Sequence, residues 1–145
     1  MKILVAVDDD TCCSAIVKCI TAQEWTAKTE FLVLHVIDSK PSIDIDPLFV
    51  DERRCAMWLI RKVGIALRDA YKTTHVTEQI EFGSPPEKIR EVASTWQADL
   101  IVLGSQGKLS DALFGSVSKT ALAQCDCSVL LVKPKRRKDK VHATK

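Results

Sequence analysis

Short continuous apolar runs alternate along this chain with longer segments whose apolar residues recur at helical spacing, and that alternation constrains the fold more than any other feature. The runs are Ile3 to Val7, Phe31 to Ile37, Leu100 to Leu103 and Ser128 to Val132, with a weaker alternating stretch from Thr74 to Phe82. A strand covered by helices on both faces must be apolar at every position, which is what a continuous run supplies. Between the runs, Cys12, Ala15, Ile16 and Cys19 follow the i, i+3, i+4, i+7 rule, so a helix is predicted from about Cys12 to Trp25. A polar link, Asp38 to Pro47, leads to a second helix with Ala56, Ile60, Val63, Leu67 and Ala70 on one face. Ser84-Pro-Pro-Glu87 reads as an N-cap, a proline in the first turn and a capping-box glutamate, opening a third helix with Ile89, Val92, Ala93 and Trp96 on one stripe. A fourth runs from about Ser116 to Gln124. Strand and helix alternating in this way predict one α/β domain built on a doubly wound, five-stranded parallel sheet with helices on both faces.

The 145 residues, 46% of them hydrophobic, suffice for one such core. The domain is expected over residues 1–134, with 135–145 a basic, disordered tail. The apolar runs are too short to span a bilayer, and Met1-Lys2-Ile3 passes straight into strand-like sequence, so a cytoplasmic protein without a leader is expected. The six cysteines fall in no CxxC pattern. Cys12 and Cys13 are adjacent, and one residue separates Cys125 from Cys127, so buried thiols are expected ahead of a disulfide framework or a metal site. The stretch from Lys133 to Lys145 holds seven basic residues and one acidic; the body up to Val132 is left with 14 basic and 18 acidic residues. A body of net charge −4 offers no footprint for nucleic acid, and the tail has no aromatic residues for base stacking.

In sheets of this kind ligands bind beyond the carboxyl ends of the strands, where the strand order reverses. The residues there are Asp8-Asp-Asp10 after the first strand and Gly104-Ser-Gln-Gly107 after the fourth. A dinucleotide fingerprint after the first strand is missing, and Ser118-Lys-Thr120 lacks the glycines of a P-loop. Ser116-Val-Ser-Lys119 matches S-x-x-K without its companion elements. His35, His75 and His142 share no spacing that would make two of them ligands on one face. Asp10 or Thr11 is expected to cap the first helix, with Asp9 solvated.

From Lys2 to Pro134 the chain resembles the universal stress protein family. The resemblance rests on Ile3-Leu-Val-Ala-Val-Asp8, on Leu34-His-Val-Ile-Asp38, and on Val102-Leu-Gly-Ser-Gln-Gly107 together with Phe114-Gly-Ser-Val-Ser118. It implies a strand order of 3-2-1-4-5, a homodimer formed through the last strand, Ser128 to Val132, and, in members with the G-x2-G-x9-G-[ST] motif, bound ATP with Mg²⁺ as its possible companion. By position, Asp8 would accept hydrogen bonds from the ribose hydroxyls with Ala6 and Val7 beside it, the backbone of Val36 would read the adenine edge, and Gly104 would border the ribose. Gly107, Gly115, Ser116 and Val117 would serve the phosphates, a role a helix N-terminus suits because its first N–H groups lack partners.

Two departures from the family pattern stand out. Seven residues, Lys108 to Phe114, separate Gly107 from Gly115 where the motif has nine, and Asp9-Asp10 replaces the usual Gly-Ser. The added charge calls either for a divalent cation or for weaker nucleotide binding. The expectation is therefore an ATP-binding, non-enzymatic stress sensor or regulator that presents a nucleotide-dependent surface to a downstream protein partner. Its alternative is a dimeric interaction protein whose site has decayed. An α-hydrolase of the related adenine-nucleotide type would need a further substrate domain.

Overall fold

The computed structural model describes residues 1–39, 47–72, 75–105 and 115–134. Strands and helices alternate as β1 (Lys2–Ala6), α1 (Asp10–Thr21), β2 (Glu30–Ile37), α2 (Pro47–Ala70), β3 (His75–Phe82), α3 (Pro85–Trp96), β4 (Leu100–Gly104), α4 (Ser116–Gln124) and β5 (Ser128–Val132). The five strands lie in the order β3-β2-β1-β4-β5, and every neighbouring pair is parallel. The chain winds outward from β1 through β2 to β3, then crosses back to place β4 on the other side of β1. The order therefore reverses at β1, between β2 and β4.

Period-two side-chain alternation divides the apolar runs between two cores. Ile3, Val5 and Val33 face α1 and α2, where they meet Ile16, Ile20, Val63 and Leu67. Leu4, Leu32, Leu34, Ile101 and Leu103 face α3 and α4, against Ile89, Val92, Ala93 and Ala121. Each such side chain, fully removed from water, contributes about 1.5–3 kcal/mol of transfer free energy, so the two cores rather than helix propensity hold the layers together.

Element ends differ from the sequence expectation where tertiary contacts intervene. α1 stops at Thr21 rather than near Trp25. The Trp25 indole N–H donates to the Ile20 carbonyl at 3.0 Å, and the Tyr71 hydroxyl lies 2.8 Å from the same oxygen, so the last turn is closed by side chains from outside it. Trp25 and Tyr71 in turn flank Phe31, edge-on and stacked respectively, at the amino end of β2. β3 begins at His75; Thr74 lies outside the described residues. α3 starts where the proline pair predicted, but Ser84 makes no side-chain capping bond. The turn before it needs its glycine, since Gly83 has φ +130°, a conformation that side chains with a Cβ rarely adopt.

Candidate functional site

The carboxyl end of β1 lies between its two neighbours at the reversal point. The Val7 N–H donates to the Leu34 carbonyl at 2.9 Å, prolonging the ladder past the last strand residue. The Val7 carbonyl lies 2.7 Å from Nδ1 of His35. A carbonyl can only accept, so that ring nitrogen carries a proton and donates. His35 is thus a satisfied histidine that ties the end of β2 to the end of β1. Ala6 and Val7 are buried, and the next residue, Asp8, emerges exposed. Continuing the register of Ala6 with Leu34 and of Val5 with Val102 sets Asp8 level with Val36 on one side and with Ser105 on the other.

The three consecutive carboxylates have different occupations. Asp9, not Asp10 or Thr11, is the N-cap of α1: its Oδ1 accepts from the Cys12 N–H at 2.9 Å. The correction follows from geometry, because Asp9 holds the extended conformation a cap requires while Asp10 is already helical. Asp10 pairs with Lys62 of α2 at 2.6 Å. The added negative charge of Asp9-Asp10 is therefore offset by a helix N-terminus and an ammonium group. Asp8 alone has no hydrogen-bond or ion-pair partner among the described residues. Among those residues there is also no group of three or more His, Cys, Asp or Glu side chains able to hold a metal ion.

Gly104 ends β4 against the first turn of α1. A Cβ at that position would meet Cys12 Sγ at 2.9 Å and Cys12 Cβ at 3.3 Å, so glycine is required there by close approach. Burial, with Asp9 next, pushes the Cys12 thiol up to about 11, and burial followed by Asp10 takes Cys13 to about 12. Both stay protonated at neutral pH and are packing groups rather than nucleophiles. The expectation of buried thiols holds for Cys12 and Cys13, but Cys19, Cys125 and Cys127 are half-buried and Cys55 is exposed.

α4 is placed over the end of β4 by its own first turn, where the Ser118 hydroxyl reaches the Gly104 carbonyl at 3.4 Å. Its N-cap is Gly115, with φ −76° and ψ 174°, and no side chain caps it. That φ is open to any residue, so positive φ is not the reason for glycine at 115. The first N–H groups of α4, from the exposed Ser116 and half-buried Val117 onward, have no intrahelical acceptors and no acidic residue beside them in that turn. Gly107 lies outside the described residues. Ser105, which sequence reading passed over, is fully buried one residue beyond Gly104, and its Oγ has no hydrogen-bond partner among the described residues. Its position inside the motif was visible in the sequence, its burial was not, and its N–H prolongs the β4–β5 ladder by donating to the Val132 carbonyl at 3.1 Å.

The structure thus brings Ala6, Val7, Asp8, Val36 and Gly104 to one end of the sheet, around the reversal point, with Gly115, Ser116 and Val117 opening the helix tied to Gly104. A family model matches this chain over residues 1–133, that of the universal stress protein family. The chain belongs to that family. The universal stress protein MJ0531 of Methanocaldococcus jannaschii is 30% identical over 127 residues, covering 80% of this chain and 71% of that protein. A shorter match, 42% over 55 residues with Universal stress protein Sll1388 of Synechocystis, spans only 36% of that relative's length. Among solved structures, the hypothetical protein MJ0577 superposes with a TM-score of 0.75 at 27% identity, covering 93% of this chain and 96% of that one. The Arabidopsis thaliana family protein At3g01520, solved with AMP bound, gives 0.70 at 20% identity over 94% and 93% of the two chains. A universal stress protein in complex with cAMP gives 0.67 at 19% over 93% and 98%. Among the described residues of this stress-protein chain, no helix is long and apolar enough to cross a membrane.

Proposed function

We propose that this universal stress protein binds an adenine nucleotide, ATP in its working state, at the carboxyl ends of β1, β2 and β4, and signals its occupancy as a cytoplasmic homodimer. The observation that carries the reading is Asp8: an exposed carboxylate at the reversal point, free of partners among the described residues while the two carboxylates that follow it, Asp9 and Asp10, are engaged. In this reading Asp8 accepts from the ribose hydroxyls, the Val36 backbone meets the adenine edge, and Ala6, Val7 and Gly104 form the floor. The uncapped start of α4, through Gly115, Ser116 and Val117 together with Gly107, receives the phosphates. AMP and cAMP in relatives of the same fold support recognition of the adenosine portion.

Among the described residues of the site no nucleophile stands beside a base, and in this reading ATP acts as an effector, with at most slow incidental hydrolysis. Binding stabilises the competent conformer by linkage and changes a surface that a downstream partner reads. Mg²⁺ would come with the phosphates rather than from protein ligands. The seven-residue spacer between Gly107 and Gly115 favours a second reading, a dimeric interaction protein that binds no nucleotide. Denaturing the purified, never-supplemented protein and identifying any released nucleotide by mass separates the two. Stoichiometric ATP is the expected result; an empty protein without measurable ATP affinity, with or without Mg²⁺, selects the second reading.

A further inference from the structure

We propose that the outward face of α2 is a docking surface for an acidic protein segment with an apolar side. This inference stands apart from the nucleotide reading. The inner stripe of α2, with Ala56, Leu59, Ile60, Val63 and Leu67, is buried in the sheet-facing core. On the outer side Val50 is 40% exposed, Met57 44%, Trp58 56% and Ile65 58%. Val50 and Met57, like Trp58 and Ile65, are seven residues apart, so the four form two adjacent rows along one face. Isolated exposed apolar residues are ordinary, but four on one strip, a tryptophan among them, are not.

From Arg53 to Arg68 the charges on that strip have one sign, and the carboxylate of Asp51, seven residues before Trp58, stands only at its amino end. Between Glu52 and Asp69 the helix carries Arg53, Arg54, Arg61, Lys62 and Arg68 and no acidic residue. Lys62 is committed to Asp10, and Arg68 donates to Glu78 at 2.8 Å. Arg54 and Arg61, both exposed, have no ion-pair partner among the described residues, and helical spacing sets them between the two apolar rows. Trp58 is itself steadied, since Lys62 Nζ lies 5.0 Å from its ring centroid. Tryptophan and arginine are the side chains that most often dominate binding energy at interfaces, and methionine is enriched there.

The same charges select the occupant. A second copy docked by a two-fold axis along this strip would bring Arg54 and Arg61 against the arginines of the other copy, a like-charge contact at the centre of the interface. A partner with carboxylates flanking an apolar stripe reverses that term. From Val50 to Ile65 the strip runs about 22 Å, so a partner helix of about four turns matches it.

The test uses the full chain, emptied of nucleotide, and a fluorescent helical peptide of about four turns. The peptide carries Leu at i, i+3, i+4 and i+7 with Glu on both flanks, and its counterpart has every Glu replaced by Lys. Anisotropy titration is expected to show the acidic peptide binding and weakening as salt rises. Trp58→Ala and the double variant Arg54→Glu, Arg61→Glu should each lose about tenfold or more in affinity. Their circular dichroism should stay unchanged, since these side chains are exposed. The proposal is overturned if the acidic peptide fails to bind, if the Lys peptide binds equally well, or if the variants bind as the parent does. Stronger binding to phosphatidylserine vesicles than to the acidic peptide, lost in the same variants, would also overturn it and make the strip a membrane contact.

Discussion

At the scale of single residues, Asp8, Asp9 and Asp10 are chemically alike and physically distinct. Asp9 commits its carboxylate to the helix it starts and Asp10 to Lys62, while Asp8 has no partner among the described residues, as the proposed ribose contact requires. Asp8→Ala should therefore leave the urea midpoint almost unmoved while weakening adenosine and ATP alike by about tenfold to a hundredfold, the scale of a lost hydrogen bond to a charged group. Calorimetry with both ligands tests this, and loss of ATP alone would contradict a ribose contact. Asp9→Ala should do the reverse to stability, costing about 1 kcal/mol as a lost cap, read as a lower urea midpoint at unchanged slope. The buried thiols add a pH dependence. Cys12 and Cys13 are raised from 9.0 to about 11 and about 12, so between those values the folded chain holds protons that the unfolded chain has released. Stability from this source is complete below pH 9 and falls as pH climbs through 11 to 12. Urea midpoints at pH 8 and pH 10.5 should differ accordingly, and Cys13→Ala should flatten the slope between them even though its cavity lowers both values.

At the scale of elements, the site is assembled by two contacts, α1 against the end of β4 and the start of α4 above it. Gly104→Ala should cost about 1–3 kcal/mol by driving a Cβ into Cys12 Sγ, and pairing it with Cys12→Ala should recover part of that loss. Additive effects in a double-mutant cycle of urea midpoints would show that the close approach is not what glycine serves. Gly115→Glu should abolish ATP binding by placing a carboxylate at the uncapped start of α4, with oligomeric state unchanged in light scattering; unaltered affinity would remove phosphate from that helix end. The elements themselves were legible in the sequence, because continuous apolar runs and 3.6-residue stripes report burial directly, and the start of α4 at Ser116 and of α3 at Pro85 came out as read. The helix termini closed by distant groups were not. Nothing near Ile20 announces that Tyr71, 51 residues away, will join Trp25 on its carbonyl, and nothing near Asp10 announces Lys62, 52 residues away. The motifs did lead to residues that the fold gathers at one end of the sheet, Asp8 and Gly104 among them, yet no local pattern announced the burial of Ser105.

At the scale of the whole molecule, the sheet has two edges, and the chain treats them differently. β3 is covered on its inner side by a full-length pairing with β2, from Glu30 opposite His75 to Ile37 opposite Phe82, and its sequence carries Glu78 and Glu81. β5 is short and lacks charge: Val129, Leu130 and Leu131 are each half-buried. An apolar edge with unpaired backbone groups invites another strand, which is the physical case for the proposed homodimer. The hydrogen bonds say which residues would serve it. Ser128 donates inward to Asp99, and Val132 accepts inward from Ser105. In a parallel pair backbone groups point alternately to the two sides, so Leu130 also faces β4 and Val129 and Leu131 direct theirs outward. Val129→Pro should then delete an outward N–H while sparing the β4 ladder, leaving a folded monomer. Light scattering of the parent should give twice the chain mass and the variant once, with little change in far-ultraviolet dichroism. A variant that stays dimeric would move the interface off β5, and a monomeric parent would leave nucleotide occupancy to be signalled within a single chain.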